Sequence, residues 1–151
     1  MAWIKNCVAK LRNSERFAFG IWLIFFKIVF LRIKIKTMLE IGERPWGKYF
    51  VLADEPHYKL KRIEVNPGQK LSYQFHYKRQ EQWTIIEGNA TIVLDGEEIP
   101  LAYGQSIFIP LGAKHRIMNL SDKPVVFIEV QTGTYFGEDD IVRLEDEYDR
   151  S

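Results

Sequence analysis

Residues 104–119 read GQSIFIPLGAKHRIMN, an apolar run that ends in a histidine flanked by Lys114 and Arg116. Gly104 permits a tight turn into a strand, and Pro110-x-Gly112 reverses the chain. His115 is thereby delivered onto a neighbouring strand, where alternation puts His115, Ile117 and Asn119 on one face. An inward imidazole can ligate a metal. A lone histidine on an apolar face is more often a hydrogen-bonded core residue, so its partners must be found before any chemistry is assigned. The chain has only three histidines, His57, His76 and His115. Its single cysteine, Cys7, excludes an internal disulfide and a Cys-rich zinc site, and suits a reducing cytoplasm.

The elements that must position such a residue follow from composition and pattern. A chain of 151 residues with an ordinary charged fraction makes one domain with a sizeable core. Its overall charge of +1 hides a split, because residues 1–37 carry +7 and the remainder −6. Within the basic part, the apolar stretch from Phe17 to Leu31 is interrupted by Lys27. It is short for a spanning helix, which needs roughly 20 predominantly apolar residues. It also lacks the small-residue cleavage site of a signal peptide. Three readings of residues 1–37 stay open: a weak membrane-associated helix, an added arm of the domain, or a non-native extension read from an upstream start. The last is favoured, with Met38 as the true first residue and residues 38–151 as the domain. A membrane partner is expected only if residues 1–37 are genuine. Nucleic acid is not an expected partner.

From Glu43 onward, short runs of β-branched and aromatic residues alternate with turn residues. WGKYFVL, YKLKRIEV, KLSYQFHY, QWTIIE, ATIVL, EEIPL, SIFIP, HRIMN and PVVFIEVQ read as strands. Turns are expected at Pro67-Gly68, Glu87-Gly88-Asn89, Asp95-Gly96 and Ala102-Tyr103-Gly104. With no helical period between them, these strands make an antiparallel sandwich or small barrel.

The spacing of Gly104, Pro110, Gly112, His115 and Asn119 resembles the second motif of the cupin superfamily. The implied fold is all-β, a double-stranded β-helix or jelly roll, here with an atypical basic N-terminal extension. The first cupin motif is matched upstream by Gln74, His76, Glu81 and Gly88, with Gln74 where many cupins have a second histidine. The resemblance implies one divalent metal ion on Gln74, His76, Glu81 and His115. Such an N and O donor set suits Zn, Mn, Fe or Ni without choosing among them. The alternative is a metal-free sandwich with a hydrogen-bonded polar centre.

More narrowly, RPWGKY at 44–49, YKLKRIEVNPGQKLS at 58–72, IPLGAKHRIMN at 109–119 and IEVQTGTYFGEDDIVRLEDEYDR at 128–150 resemble the type II mannose-6-phosphate isomerase family. In many members this cupin is the C-terminal half of a mannose-1-phosphate guanylyltransferase/mannose-6-phosphate isomerase. The implied activity interconverts mannose 6-phosphate and fructose 6-phosphate, in mannose and polysaccharide metabolism. It implies Arg79 and Glu81 as catalytic residues, and Arg79, Arg116, Lys78 and Trp83 as contacts for a sugar phosphate, with Lys61 and Arg62 as further cations. Lys61 and Lys78 also read as exposed strand-edge residues, and Trp83 as core. A homodimer is expected by the same resemblance. The chain has no room for a nucleotide-binding α/β domain, so guanylyltransferase activity is not expected. Family members commonly read QMHHHRAEHW where this chain has QFHYKRQEQW, so Tyr77, Lys78 and Gln82 replace histidines. That departure keeps open a non-catalytic metal-binding cupin that binds a sugar or sugar nucleotide.

Overall fold

In the computed structural model, which describes residues 40–148, Gly104 and Gly112 both take a φ of 79°. These left-handed turns are the ones residues 104–119 require, and glycine adopts them without a Cβ clash. The expectations for residues 1–37 lie outside the described residues. Among the described residues no helix is long and apolar enough to cross a membrane.

Among the described residues eleven strands and one short 3-10 turn follow in order: β1 (Glu40–Arg44), β2 (Gly47–Glu55), β3 (Tyr58–Val65), β4 (Tyr73–His76), β5 (Arg79–Glu87), β6 (Ala90–Leu94), β7 (Glu97–Leu101), β8 (Ser106–Ile109), β9 (His115–Met118), β10 (Val125–Gly133), the 3-10 turn at Glu138–Asp140, and β11 (Ile141–Glu145). They form two sheets, one in the order β1-β2-β3-β10-β5-β8 and the other β11-β4-β9-β6-β7. From β3 to β6 the chain crosses between sheets at every connection, and again from β7 to β11. This is the jelly-roll arrangement expected from the sequence, with every named strand pair antiparallel. Two strands were not legible, β1 and β11, and both lie on sheet edges.

Alternation along β5 buries Arg79, Glu81, Trp83 and Ile85 while Gln80, Gln82 and Thr84 face outward to differing degrees. On the paired strand β10, Phe127, Glu129 and Gln131 are buried. The inner face of the larger sheet therefore has two zones. Its apolar zone holds Ile63, Ile85 and Phe127, which pack with Ile92 and Ile117 of the smaller sheet. Each such fully buried side chain contributes roughly 1.5–3 kcal/mol. The other zone is polar and buried, and it costs free energy unless its groups find partners.

Two polar devices brace these strands, one at each end. Asn119, fully buried, donates from its amide to the carbonyls of Val65, Asn66 and Lys123, and its oxygen accepts from the backbone and side chain of Ser121. It is a staple behind β9 rather than a member of the site. The second device is the tail. The Asp140 carboxylate accepts from the backbone N–H groups of Tyr77 and Lys78, at 3.3 and 3.2 Å, and the Gly137 carbonyl accepts from Arg79 Nη1 at 2.9 Å. The GEDDIVR segment thus clamps the β4–β5 connection, a task that a generic cupin sequence does not reveal.

Candidate metal centre

The β4–β5 turn and the β9 start bring three donors together from both sheets. His76 ends β4, Glu81 lies on β5 and His115 opens β9. Their ligand atoms all lie within 4.8 Å of one another and all three residues are buried. His76 Nε2 stands 3.2 Å from Glu81 Oε1, and His115 Nε2 stands 3.7 Å from Glu81 Oε2. Donors sharing one ion at about 2.0–2.2 Å lie roughly 3–3.5 Å apart, so these separations are close to what one ion would impose.

The other nitrogen of each ring explains the orientation. His76 Nδ1 faces the carbonyl of Asp140 at 3.4 Å, and His115 Nδ1 faces that of Ala113 at 2.9 Å. A carbonyl can only accept, so each Nδ1 carries the proton and each Nε2 presents a lone pair. Both Nε2 atoms are buried and have no hydrogen-bond partner. This pairing of a backbone acceptor on one nitrogen with a free lone pair on the other is how metal-ligating histidines are held. The donor set therefore fits a divalent cation.

Glu81 is fixed from behind. Trp83 Nε1 donates to Glu81 Oε2 at 2.9 Å and to Glu129 Oε2 at 3.1 Å, while Gln131 Nε2 donates to Glu81 Oε1 at 2.9 Å and to Glu129 Oε1 at 2.8 Å. Strand register makes this possible, because Trp83 lies opposite Glu129 and Glu81 opposite Gln131. The two carboxylates diverge in character. Burial alone would raise the Glu81 carboxyl, but the His76 and His115 rings and the Arg79 guanidinium that face it outweigh burial and hold it well below the usual carboxylate range. Burial and the nearby Glu81 charge push Glu129 up to about 8, against the pull of Lys61 and Arg79. Burial pushes the His115 ring down, which favours the neutral form a metal ligand needs.

A cleft of about 60 Å³ opens beside this centre. Gln74, Arg79, Glu81, Glu129 and Gln131 line its inner end, and Arg44, Lys61, Glu138 and Arg143 also face it. Gln74, opposite His115 in register, accepts from Ser72 Oγ at 2.7 Å through its Oε1.

The sequence-derived residues separate into two groups. Arg79 is inside, buried, with Nε 3.4 Å from Glu81 Oε1. Trp83 is fully buried, edge-on to His115, and serves Glu81 as a donor; core packing and site support coincide in it. Arg116 does not line the cleft. Being the neighbour of His115 on β9 it points the other way, pairs with Glu145 at 2.5 Å and stacks on Tyr73. Lys78 is exposed, over the ring of Tyr135, and Arg62 is paired with Glu64. Lys61 is not the exposed strand-edge residue expected: it is buried beside Glu129, because register places it across from that residue on the inner face. Tyr77 and Gln82, where the family carries histidines, also lie outside the cleft, Tyr77 being 66% exposed. Glu129 and Gln131 went unnoticed in the sequence. Their signal is the pair of polar residues two apart in the otherwise apolar PVVFIEVQ.

Similarity to known proteins places the chain in a family. The family described as "Mannose-6-phosphate isomerase C-terminal" matches residues 34–146. The chain is 46% identical over 107 residues to the mannose-1-phosphate guanylyltransferase ManC of Salmonella typhimurium, covering 71% of this chain and 22% of that protein. It is 45% identical over 108 residues to the xanthan biosynthesis protein XanB of Xanthomonas campestris, covering 72% of this chain and 23% of that one. The chain therefore spans less than a quarter of the length of these two relatives. Among solved structures, one described as a sugar phosphate isomerase of the cupin superfamily from Silicibacter pomeroyi superposes with a TM-score of 0.55 at 21% identity, over 66% of this chain and 76% of that one. At that identity the likeness establishes the cupin fold.

Proposed function

The chain belongs to the mannose-6-phosphate isomerase C-terminal family of cupin domains, and from that premise we propose that it is a metal-dependent sugar-phosphate isomerase interconverting mannose 6-phosphate and fructose 6-phosphate. One observation carries the reading. Two buried histidines turn unpartnered Nε2 lone pairs onto the two oxygens of one ionised carboxylate, at the inner end of a cleft lined with cations.

Aldose-ketose isomerisation moves a proton between C2 and C1 and develops negative charge on the two attached oxygens. A divalent ion held by His76, Glu81, His115 and Gln74 would supply the Lewis acid that stabilises that charge. The protein's own groups do the rest. Asp140 and Ala113 fix the histidine tautomers through their carbonyls. Trp83 and Gln131 hold the Glu81 carboxylate in place, and Arg79 sets a fixed positive charge beside it.

The second reading, a cupin that binds a sugar without turning it over, drew its support from the replaced histidines. Tyr77, Lys78 and Gln82 all lie outside the lining of the cleft, which weakens that support. The test is turnover of mannose 6-phosphate by metal-loaded full-length protein. Fructose 6-phosphate should form, turnover should stop on chelation and return with a divalent cation, and Glu81→Gln should abolish it. Sugar-phosphate binding with no turnover under any metal would establish the binding protein instead.

A further inference from the structure

The sequence offered Arg79, Lys78 and Arg116 for the phosphate, with Lys61 and Arg62 as further cations; Arg79 faces the cleft, but it is engaged by the Gly137 carbonyl and by Glu81. Three other cations line the same cleft: Arg44 from β1, Lys61 from β3 and Arg143 from β11. Two of them come from edge strands that no apolar pattern announced.

Their contacts are incomplete. Lys61 Nζ lies 3.6 Å from Glu138 Oε1 and 3.9 Å from Glu129 Oε1, both longer than a hydrogen bond. Its side chain is only 9% exposed, so little water can make up the shortfall. Arg143 Nη2 lies 3.8 Å from Glu138 Oε2, and Arg143 Nε is buried with no hydrogen-bond partner. Arg44 gives Nη2 to Tyr49 Oη at 3.2 Å and Nη1 to the carbonyl of Glu43, and among the described residues no carboxylate bonds it. Arg44 and Lys61 both stand over the Tyr49 ring, at 5.0 and 5.2 Å to its centroid. The cations outside the cleft differ: Arg116 has Glu145 and Arg62 has Glu64 at short range.

We propose that Lys61, Arg143 and Arg44 form an anion subsite at the cleft mouth that takes the phosphoryl group of the substrate, and that the Glu138 carboxylate is the counter-ion this group displaces. The identity of the ligand as a sugar phosphate rests on the isomerase reading; the subsite itself does not. Glu138 sits on the 3-10 turn, half exposed, with one oxygen toward Lys61 and the other toward Arg143. A single carboxylate at ion-pair distance from two cations fills the place of a larger anion poorly. A phosphoryl group carries two charges and three terminal oxygens, enough for two guanidinium forks and an ammonium at hydrogen-bond distance. Lys61 ties the subsite to the inner end, since its other neighbour, Glu129, shares Trp83 and Gln131 with Glu81.

The experiment is calorimetric titration of the full chain with inorganic phosphate, after chelation so that no metal binds the anion directly. Arg143→Met should weaken phosphate binding by about tenfold or more, the usual worth of a hydrogen bond to a charged group. Lys61→Met should do the same, with near-UV circular dichroism to verify its fold because it leaves Glu129 without its cation. Glu138→Gln is expected to tighten binding, an effect that misfolding cannot produce, and Arg62→Met to leave it unchanged. Phosphate that does not bind wild type, or binds Arg143→Met and Glu138→Gln as it does wild type, overturns the subsite. The isomerase reading fails separately: phosphate binding that responds as expected, without turnover of mannose 6-phosphate, keeps the subsite and removes the enzyme. Turnover whose KM is indifferent to Arg143→Met does the reverse.

Discussion

At the residue scale, direction matters more than identity. His115 and Arg116 are neighbours, yet one reaches the centre and the other an outside ion pair, because a strand sends successive side chains to opposite faces. The same parity sorts Glu81 and Trp83 from Gln82 on β5. Tyr77 and Gln82 therefore both lie outside the lining of the cleft. Tyr77→His and Gln82→His should leave kcat/KM within about twofold of wild type, as exposed substitutions away from a site do. Steady-state assays decide this, and a tenfold rise in either variant would return those positions to the chemistry. The three candidate ligands were legible because their spacing resembles paired cupin motifs. Glu129 and Gln131 were not, since an apolar strand context hides two polar residues unless their shared face is followed to its partners on β5.

At the element scale, the interior strands were legible from alternation and from their turn glycines. The edge strands β1 and β11 were not. Ile41 is the only large apolar residue of β1 and is 53% exposed, and β11 has no fully buried residue. Both are held by pairing rather than by a buried stripe, so hydrophobic period carries no trace of them. Arg79 and Gln80 likewise fall outside the strand read from QWTIIE, because polar side chains mask an inward face. The close approach of β10 to the start of β5 is set by Gly133: a Cβ there would meet the Lys78 carbonyl oxygen at 2.2 Å and Arg79 Cα at 2.8 Å, both backbone. Gly133→Ala should cost roughly 1–3 kcal/mol through forced separation of these strands. That is a fall in Tm of roughly 4–8 °C per kcal/mol for a domain of this size. A thermal melt unchanged from wild type would show that the strands part without cost.

At the scale of the whole molecule, the jelly roll makes one centre from two sheets: β4 and β9 present the histidines, β5 and β10 the carboxylates and their donors, and the tail locks the connection between β4 and β5. A family segment that no metal motif explains, GEDDIVR, supplies the clamp through Asp140 and a cation at the mouth through Arg143. The account stands on the claim that His76, Glu81 and His115 hold a metal. Elemental analysis of carefully purified protein measures this directly. Wild type should carry about one divalent ion per chain, and His76→Ala and His115→Ala, folded by circular dichroism, should each lose it. Wild type purified with no metal and unable to take one up, or variants that retain wild-type stoichiometry, would contradict the claim.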